Sequence, residues 1–274
     1  MWLILLILEI TMKFMIEILI LVIGLCFGSF INMLVFRTMC EKQITRNKFQ
    51  ETNNKRSCCD HCGKKLNWWN NVPVLSFLFQ RGKSQCCGKK LDVSYPIVEI
   101  IMGILFLLNF YFLISNFYSI FNFYFLISNV IVALMVYSAV YDAKTMYLPD
   151  WSTYTLIFLS LFFVKDMGHI YSAIGATLFL YLLSFIKIRG QEGMGMGDVL
   201  LAIFMGLLLG YPNIIVAFYV AFIIGAVFGI VYLWIFKGKN KSTMIPFGPF
   251  LLLGTLVAWW WGEGLWYYFS NLVI

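Results

Sequence analysis

Two carboxylates and four thiols carry the chemistry that this 274-residue chain offers. Asp142 stands in Tyr141-Asp142-Ala143-Lys144-Thr145-Met146-Tyr147-Leu148-Pro149-Asp150. Asp198 closes the run Gly193-Met194-Gly195-Met196-Gly197-Asp198. Both aspartates border long apolar stretches, where an ionisable side chain is costly and is a functional candidate by default. Two carboxylates held close together cannot both ionise cheaply, so the pair shares a proton. One then acts as general base on a water while the other donates to a carbonyl oxygen, which is the chemistry of aspartyl proteases. Gly195 and Gly197 support such a site, because glycine permits close backbone approach and positive φ. Each aspartate taken alone has a plainer reading: Asp198 and Asp150 both stand where a helix N-cap would stand. A glycine run without a preceding strand is a weak nucleotide signal.

The thiols are Cys59-x-x-Cys62 followed about two dozen residues later by Cys86 and Cys87. This is the general layout of a four-thiolate zinc knuckle. Lys64, Lys65, Lys89 and Lys90 would offset the charge of such a site. Cys59 and Cys62 make the regular pair, with Cys86 and Cys87 adjacent to one another in the second half. If the segment is cytoplasmic, disulfides are disfavoured and metal binding is the better reading. The knuckle would be structural, folding a segment with few core residues.

The elements that must position these groups are membrane helices. The chain is 61% hydrophobic and only 12% charged, against about a quarter charged in soluble domains. Its apolar runs are continuous rather than alternating, and several reach the roughly 17–25 residues that cross a bilayer. A lipid environment then requires helices. Eight spans are expected: 15–35, 96–113, 118–141, 151–164, 170–186, 198–210, 214–236 and 246–266. The fold class is an all-α polytopic membrane protein with a small zinc-knuckle-like insertion. Residues 1–36 form an apolar lead and first span, 37–95 a basic Cys-rich domain, and 96–274 a membrane core of about seven spans. The lead Met1–Thr11 lacks the basic front and cleavage site of a secretory signal. It reads as an upstream start or a membrane-surface extension, with Met12 and Met15 as alternative starts. Glu99, just inside the second span, reads equally as a site residue or as a buried polar pair, and His169 as an interfacial residue.

The net charge of +7 does not point to nucleic acid. Twelve of the 20 Lys and Arg lie between Arg37 and Lys90, and most others sit in short connections at Lys144, Lys187, Arg189, Lys237, Lys239 and Lys241. One threading puts all of these on the cytoplasmic side, with Lys165 outside, as the positive-inside rule demands. It also brings Asp142 and Asp198 to the same cytoplasmic membrane edge. A basic segment there would attract anionic lipid.

These motifs together resemble type IV prepilin peptidases, a family of GxGD-type membrane aspartyl proteases. The resemblance rests on Gly28-Ser29-Phe30-Ile31-Asn32 with Arg37, Cys59-Asp60-His61-Cys62-Gly63, Arg81-Gly82-Lys83 with the following cysteines, Tyr95-Pro96-Ile97-Val98-Glu99, Asp142 with Leu148-Pro149-Asp150, and Gly195-Met196-Gly197-Asp198. It implies Asp142 and Asp198 as the catalytic residues, with Asp150 not catalytic. It implies an enzyme of the bacterial inner membrane that cuts the short basic leader of prepilins or pseudopilins at the cytoplasmic face. It further implies S-adenosylmethionine-dependent methylation of the new N-terminal residue, by resemblance only. The family's second thiol pair is usually CxxC; here Ser84 takes its first position and Cys87 fits its second, so the resemblance leaves the fourth ligand open between Cys86, Cys58 and His61, or the site degenerate. Two other classes remain: a transporter using acidic residues for cation or proton coupling, which needs carboxylates near the midplane, and a non-catalytic zinc-binding assembly protein. Substrate system and oligomeric state are not legible.

Overall fold

A computed structural model describes residues 2–46, 59, 61–62, 64–116, 123–188, 191–192, 194–235 and 245–273. The described chain is almost entirely helical. In order it has α1 (Trp2–Arg46), α2 (Leu75–Phe79), α3 (Ser94–Asn116), α4 (Phe123–Thr145), α5 (Asp150–Ser160), α6 (Met167–Ser184), α7 (Met196–Leu209), α8 (Asn213–Ile235) and α9 (Gly248–Val273). Two-residue strands, β1 (Lys187–Ile188) and β2 (Gln191–Glu192), pair antiparallel between α6 and α7. The chain divides into two compact units, 1–129 and 130–274, with the division falling inside α4.

Each expected span has a helix, but the count of eight is not reproduced. Five described helices are long and apolar enough to cross a membrane, at Thr11–Met39, Ser94–Leu113, Phe123–Thr145, Met167–Ser184 and Asn213–Ile235. With these helices the chain is a multi-pass membrane protein. The expected fourth span is only the 11-residue α5, followed by a short 3₁₀ turn at Leu161–Phe163. The sixth is the 14-residue α7, which at 1.5 Å per residue is about 21 Å long, short of a hydrocarbon core of about 30 Å. α9 has the length, but Trp259-Trp260-Trp261 and Glu263 lower its mean hydropathy. The apolar lead is helical and continuous with the first span, giving a single 45-residue α1. α3 continues past the expected second span through Ser115 and Asn116. The Lys237–Lys241 hairpin, Cys58 and Arg189 lie outside the described residues.

In the first unit α1 packs along α3 through small residues. A Cβ on Gly28 would fall 2.5 Å from Glu99 Cα, and one on Gly24 would fall 2.8 Å from Gly103 Cα. Close backbone approach of this kind is how membrane helices gain dispersion contact where lipid gives no hydrophobic drive. Asn32 Nδ2 donates to the Tyr95 carbonyl at 3.0 Å, and buried Asn109 donates to Ser128 Oγ at 2.8 Å, joining α3 to α4. Glu99 is a buried polar anchor. Its Oε2 accepts from the Val74 N–H at 2.7 Å, holding Val74 at φ +58 and ψ −48, the strained centre of a γ-turn in which the Leu75 N–H donates to the Pro73 carbonyl.

In the second unit α7 is the central helix, packed against α5, α6 and α9. Ten of its residues are buried, so its shortness reflects enclosure by protein rather than exposure to lipid. Gly206 sets the α6–α7 spacing, since a Cβ there would run into the Ala173 backbone. His169, expected as an interfacial residue, is tied to α7: its Nδ1 lies 2.9 Å from the Leu207 carbonyl. Gly206→Val is expected to force these helices apart and to destabilise the protein by at least about 1–3 kcal/mol. Thermal unfolding in detergent checks this through a lowered Tm.

Candidate active site and thiol cluster

Asp142 lies in the last turn of α4. The chain then reverses sharply. Met146 adopts φ +56 and its N–H donates to the Asp142 carbonyl at 2.7 Å. This is a left-handed C-terminal cap, usually made by glycine, here made by a methionine at some cost. Thr145 Oγ1 reinforces it by donating to the Tyr141 carbonyl at 2.9 Å. Residues 147–149 run without helix to Pro149, which is the N-cap of α5. The Pro149 carbonyl accepts from Ser152 Oγ and Thr153 Oγ1 at 2.9 and 3.2 Å. The reversal turns Leu148 inward, where it is buried, and leaves Asp150 exposed with Tyr147 Oη donating to its Oδ2 at 3.1 Å.

Asp198 is the third residue of α7, not its cap. Gly195 is the N-cap, in extended geometry with φ −73. Asp150 is likewise not a cap but the first residue of α5, after Pro149. The Asp198 N–H donates to the Gly195 carbonyl at 3.0 Å, and the Asp198 carboxyl accepts a backbone hydrogen bond at Gly195. This is half of a capping box, in which an acidic third residue reaches back to the cap N–H. Gly195 therefore needs neither a positive φ nor unusual closeness: a Cβ there would meet only Asp198 Oδ2, at 3.7 Å. Gly197 does need closeness. Its Cβ would lie 3.1 Å from Leu148 Cβ, so Leu148 seats the Asp142 reversal directly on the start of α7.

The two aspartates, 56 residues apart in sequence, are thus brought together. Asp142 is 5% exposed and Asp198 9%, and the two carboxyl groups interact electrostatically. Asp150 is not in this pair. A third segment, which the sequence did not suggest, also reaches it. The Gly248 N–H at the start of α9 donates to the Asp142 carboxylate. The only signal for this in the sequence is Phe247-Gly248-Pro249 at the head of an apolar run.

In the first unit Cys59, Cys62, Cys86 and Cys87 come together, with all four Sγ atoms within 4.8 Å of one another. Cys59 and Cys87 are 3.8 Å apart and Cys62 and Cys86 3.1 Å. A tetrahedral zinc with 2.3 Å bonds to sulfur requires S–S edges of roughly 3.8 Å, so the donor set fits a metal. Two tight turns build it: the Cys59 N–H donates to the Lys64 carbonyl at 2.9 Å and the Ser84 N–H to the Lys89 carbonyl at 2.8 Å. Gly88, at φ +69, closes the second turn. Cys86, not His61, completes the described cluster. His61 Nε2 instead lies 3.1 Å from the Lys90 carbonyl, linking the two turns.

Ser84 stands where the family pattern has a cysteine. Its hydroxyl lies 3.3 Å from Cys59 Sγ and 3.1 Å from Cys86 Sγ. Burial raises the Cys59 thiol, but hydrogen bonds from Ser84, the backbone at His61 and Cys62, and Cys86 outweigh it and bring it to about 6. At Cys62 a backbone hydrogen bond at Lys64 lowers the thiol, while Cys86, burial and the neighbouring Cys59 raise it further, to about 11. A hydroxyl that donates to Cys59 favours the thiolate, so its removal raises the pKa. In metal-stripped Ser84→Ala, the pH profile of Cys59 alkylation is expected to move upward from about 6, toward the ordinary thiol value.

Comparison with known proteins bears on both units. The model of the bacterial peptidase A24 N-terminal domain matches residues 22–113, and that of the type IV leader peptidase family matches residues 129–230. A prepilin leader peptidase/N-methyltransferase of Xanthomonas campestris pv. campestris is 33% identical over 216 residues, covering 74% of this chain and 71% of the relative. Proteins of the same name from Neisseria gonorrhoeae and Pseudomonas putida are 29% and 28% identical, over 89% and 92% of this chain and 90% and 92% of theirs. No solved structure matches the chain. The matches run through both the thiol-bearing and the aspartate-bearing segments, and the chain belongs to the type IV leader peptidase family.

Proposed function

We propose that the chain is a membrane aspartyl endopeptidase that removes the leader of prepilins or prepilin-like proteins, with Asp142 and Asp198 as its catalytic pair. The observation that carries this reading is the meeting of two buried carboxyl groups from the end of α4 and the start of α7. Their shared proton supplies both functions that amide hydrolysis needs. The ionised member takes a proton from water as its oxygen bonds to the scissile carbonyl carbon. The protonated member gives its proton to the carbonyl oxygen. The tetrahedral adduct then collapses: the C–N bond breaks, the proton held by the first carboxyl goes to the leaving amine, and the second, now ionised, takes back a hydroxyl proton as the new carboxyl group forms, which restores the pair. Neither step uses a metal. Both carboxylates sit at helix ends rather than at mid-helix, which disfavours the transporter reading.

The charge distribution supports an inner-membrane enzyme whose active site faces the cytoplasm. A basic Arg37–Tyr95 domain would not attract a basic leader, so anionic lipid or acidic substrate residues are its partners. The relatives' names add an N-methyltransferase, and the second activity we propose on that ground is methylation of the new N-terminus with S-adenosylmethionine as donor. Glu99, the buried carboxylate of the first unit, is taken up by Val74 and Ser29. The thiol cluster fits zinc, which would hold the two turns together.

With a prepilin-type substrate co-expressed, Asp142→Asn and Asp198→Asn are expected to lower cleavage by at least about 100-fold, and Asp150→Asn to retain it. Immunoblots of the leader-bearing and mature forms measure this, and unimpaired cleavage by either folded dyad variant would sink the mechanism. Mass spectrometry of the mature N-terminus reads methylation as a 14 Da gain per methyl group, roughly the mass of the CH₂ added when the donor methyl replaces a proton. Elemental analysis is expected to find about one zinc per chain, lost in Cys86→Ser and kept in His61→Gln.

A further inference from the structure

The segment that opens α9 reaches the aspartates without belonging to either of their motifs. Gly248 is the first residue of α9. The first N–H groups of a helix have no acceptor inside it. Here Phe250 and Leu251 already donate to the Phe247 carbonyl, at 3.0 and 3.2 Å, and Pro249 has no N–H. The Gly248 N–H is therefore the orphan donor of this turn, and the Asp142 carboxylate accepts it.

The approach is closer than a side chain tolerates. A Cβ on Gly248 would lie 2.6 Å from Asp142 Oδ2, 3.2 Å from its Cγ and 3.4 Å from Leu148 Cδ2. Little here can give way. Asp142 and Leu148 are both buried, and Leu148 is pressed on its other side against Gly197. The α9 side is equally held. The Phe247 ring packs 5.2 Å from that of Phe222 and 6.2 Å from that of Phe250.

We propose that Gly248 is a positioning residue for the proteolytic reaction: its lack of a side chain lets the first N–H of α9 seat against Asp142 and aim that carboxylate at the substrate. The proposal rests on the aspartyl reading of the pair. Displacing a reacting group by about 1 Å costs about 100-fold in rate, so the added methyl acts on turnover rather than on substrate binding.

Two measurements on the full-length protein in detergent test this. In the first, Gly248→Ala is assayed with a prepilin substrate. The expected result is a fall in kcat of about 100-fold with KM little changed. Gly264→Ala, where a Cβ meets nothing within 4 Å, keeps wild-type turnover. In the second, hydrogen exchange is followed in the Pro246–Pro249 segment, whose amides are those of Phe247 and Gly248 alone. One amide is expected to be protected in the wild type and to exchange at least about tenfold faster in Asp142→Ala, whose α6–α7 protection reports an intact fold. Wild-type kcat in Gly248→Ala, or unchanged exchange in Asp142→Ala, overturns the proposal. Should Gly248→Ala not fold, the exchange measurement decides alone. If Asp142→Asn is inactive while Gly248→Ala is fully active, the positioning role fails and the catalytic pair stands. If Asp142→Asn cleaves normally, the aspartyl reading itself fails.

Discussion

Taking two electrostatically interacting carboxyl groups out of water is the constraint that the second unit is built around. A buried carboxylate must find hydrogen-bond donors, and membrane helices have already used most of their N–H groups on themselves. The spare donors are at helix N-termini. Asp198 finds one at Gly195, in the first turn of its own helix, and Asp142 finds one at Gly248, in the first turn of another. The short, enclosed α7 follows from the same demand. Its start must meet the end of α4 while its body stays within protein, so it is bounded by the site and by α5, α6 and α9 rather than by the thickness of a bilayer.

Glycine serves this arrangement in different ways at different positions. At Gly206 and Gly28 it lets whole helices touch. At Gly197 and Gly248 it admits Leu148 and Asp142 to the backbone. At Gly195 no such crowding is present, which leaves open space beside Asp198. The strained backbone falls on non-glycine residues: Met146 reverses the chain after Asp142, and Val74 is held by Glu99. In both cases neighbouring hydrogen bonds overdetermine the conformation, as strained residues require.

The thiol cluster solves a different problem. The described residues between α1 and α3 bury few apolar side chains, and crosslinking two short turns is an economical way to order such a segment. Ser84 departs from a double CxxC pattern without dispersing the cluster. Cys86 takes the fourth thiol position, and the serine hydroxyl lies between Cys59 and Cys86 as a hydrogen-bond partner.

Much of this molecule was legible from residue order alone. Long apolar runs can only be helices in lipid, so every expected span has its helix. Asp142 and Asp198 stand out because carboxylates beside such runs are costly, and Cys59, Cys62, Cys86 and Cys87 because thiol spacing is a local property. What depends on distant neighbours was not legible. Hydropathy could not tell a crossing helix from one enclosed by protein, hence α5 and α7. Capping preferences put Asp198 and Asp150 one to three positions from their actual places, because Gly195 and Pro149 take the caps. The separation of Asp150 from the pair, the choice of Cys86 over His61, and the arrival of Gly248 were decided by tertiary structure. Each is a contact between segments tens of residues apart, set by which backbone atoms remain unpaired and which positions leave room for them.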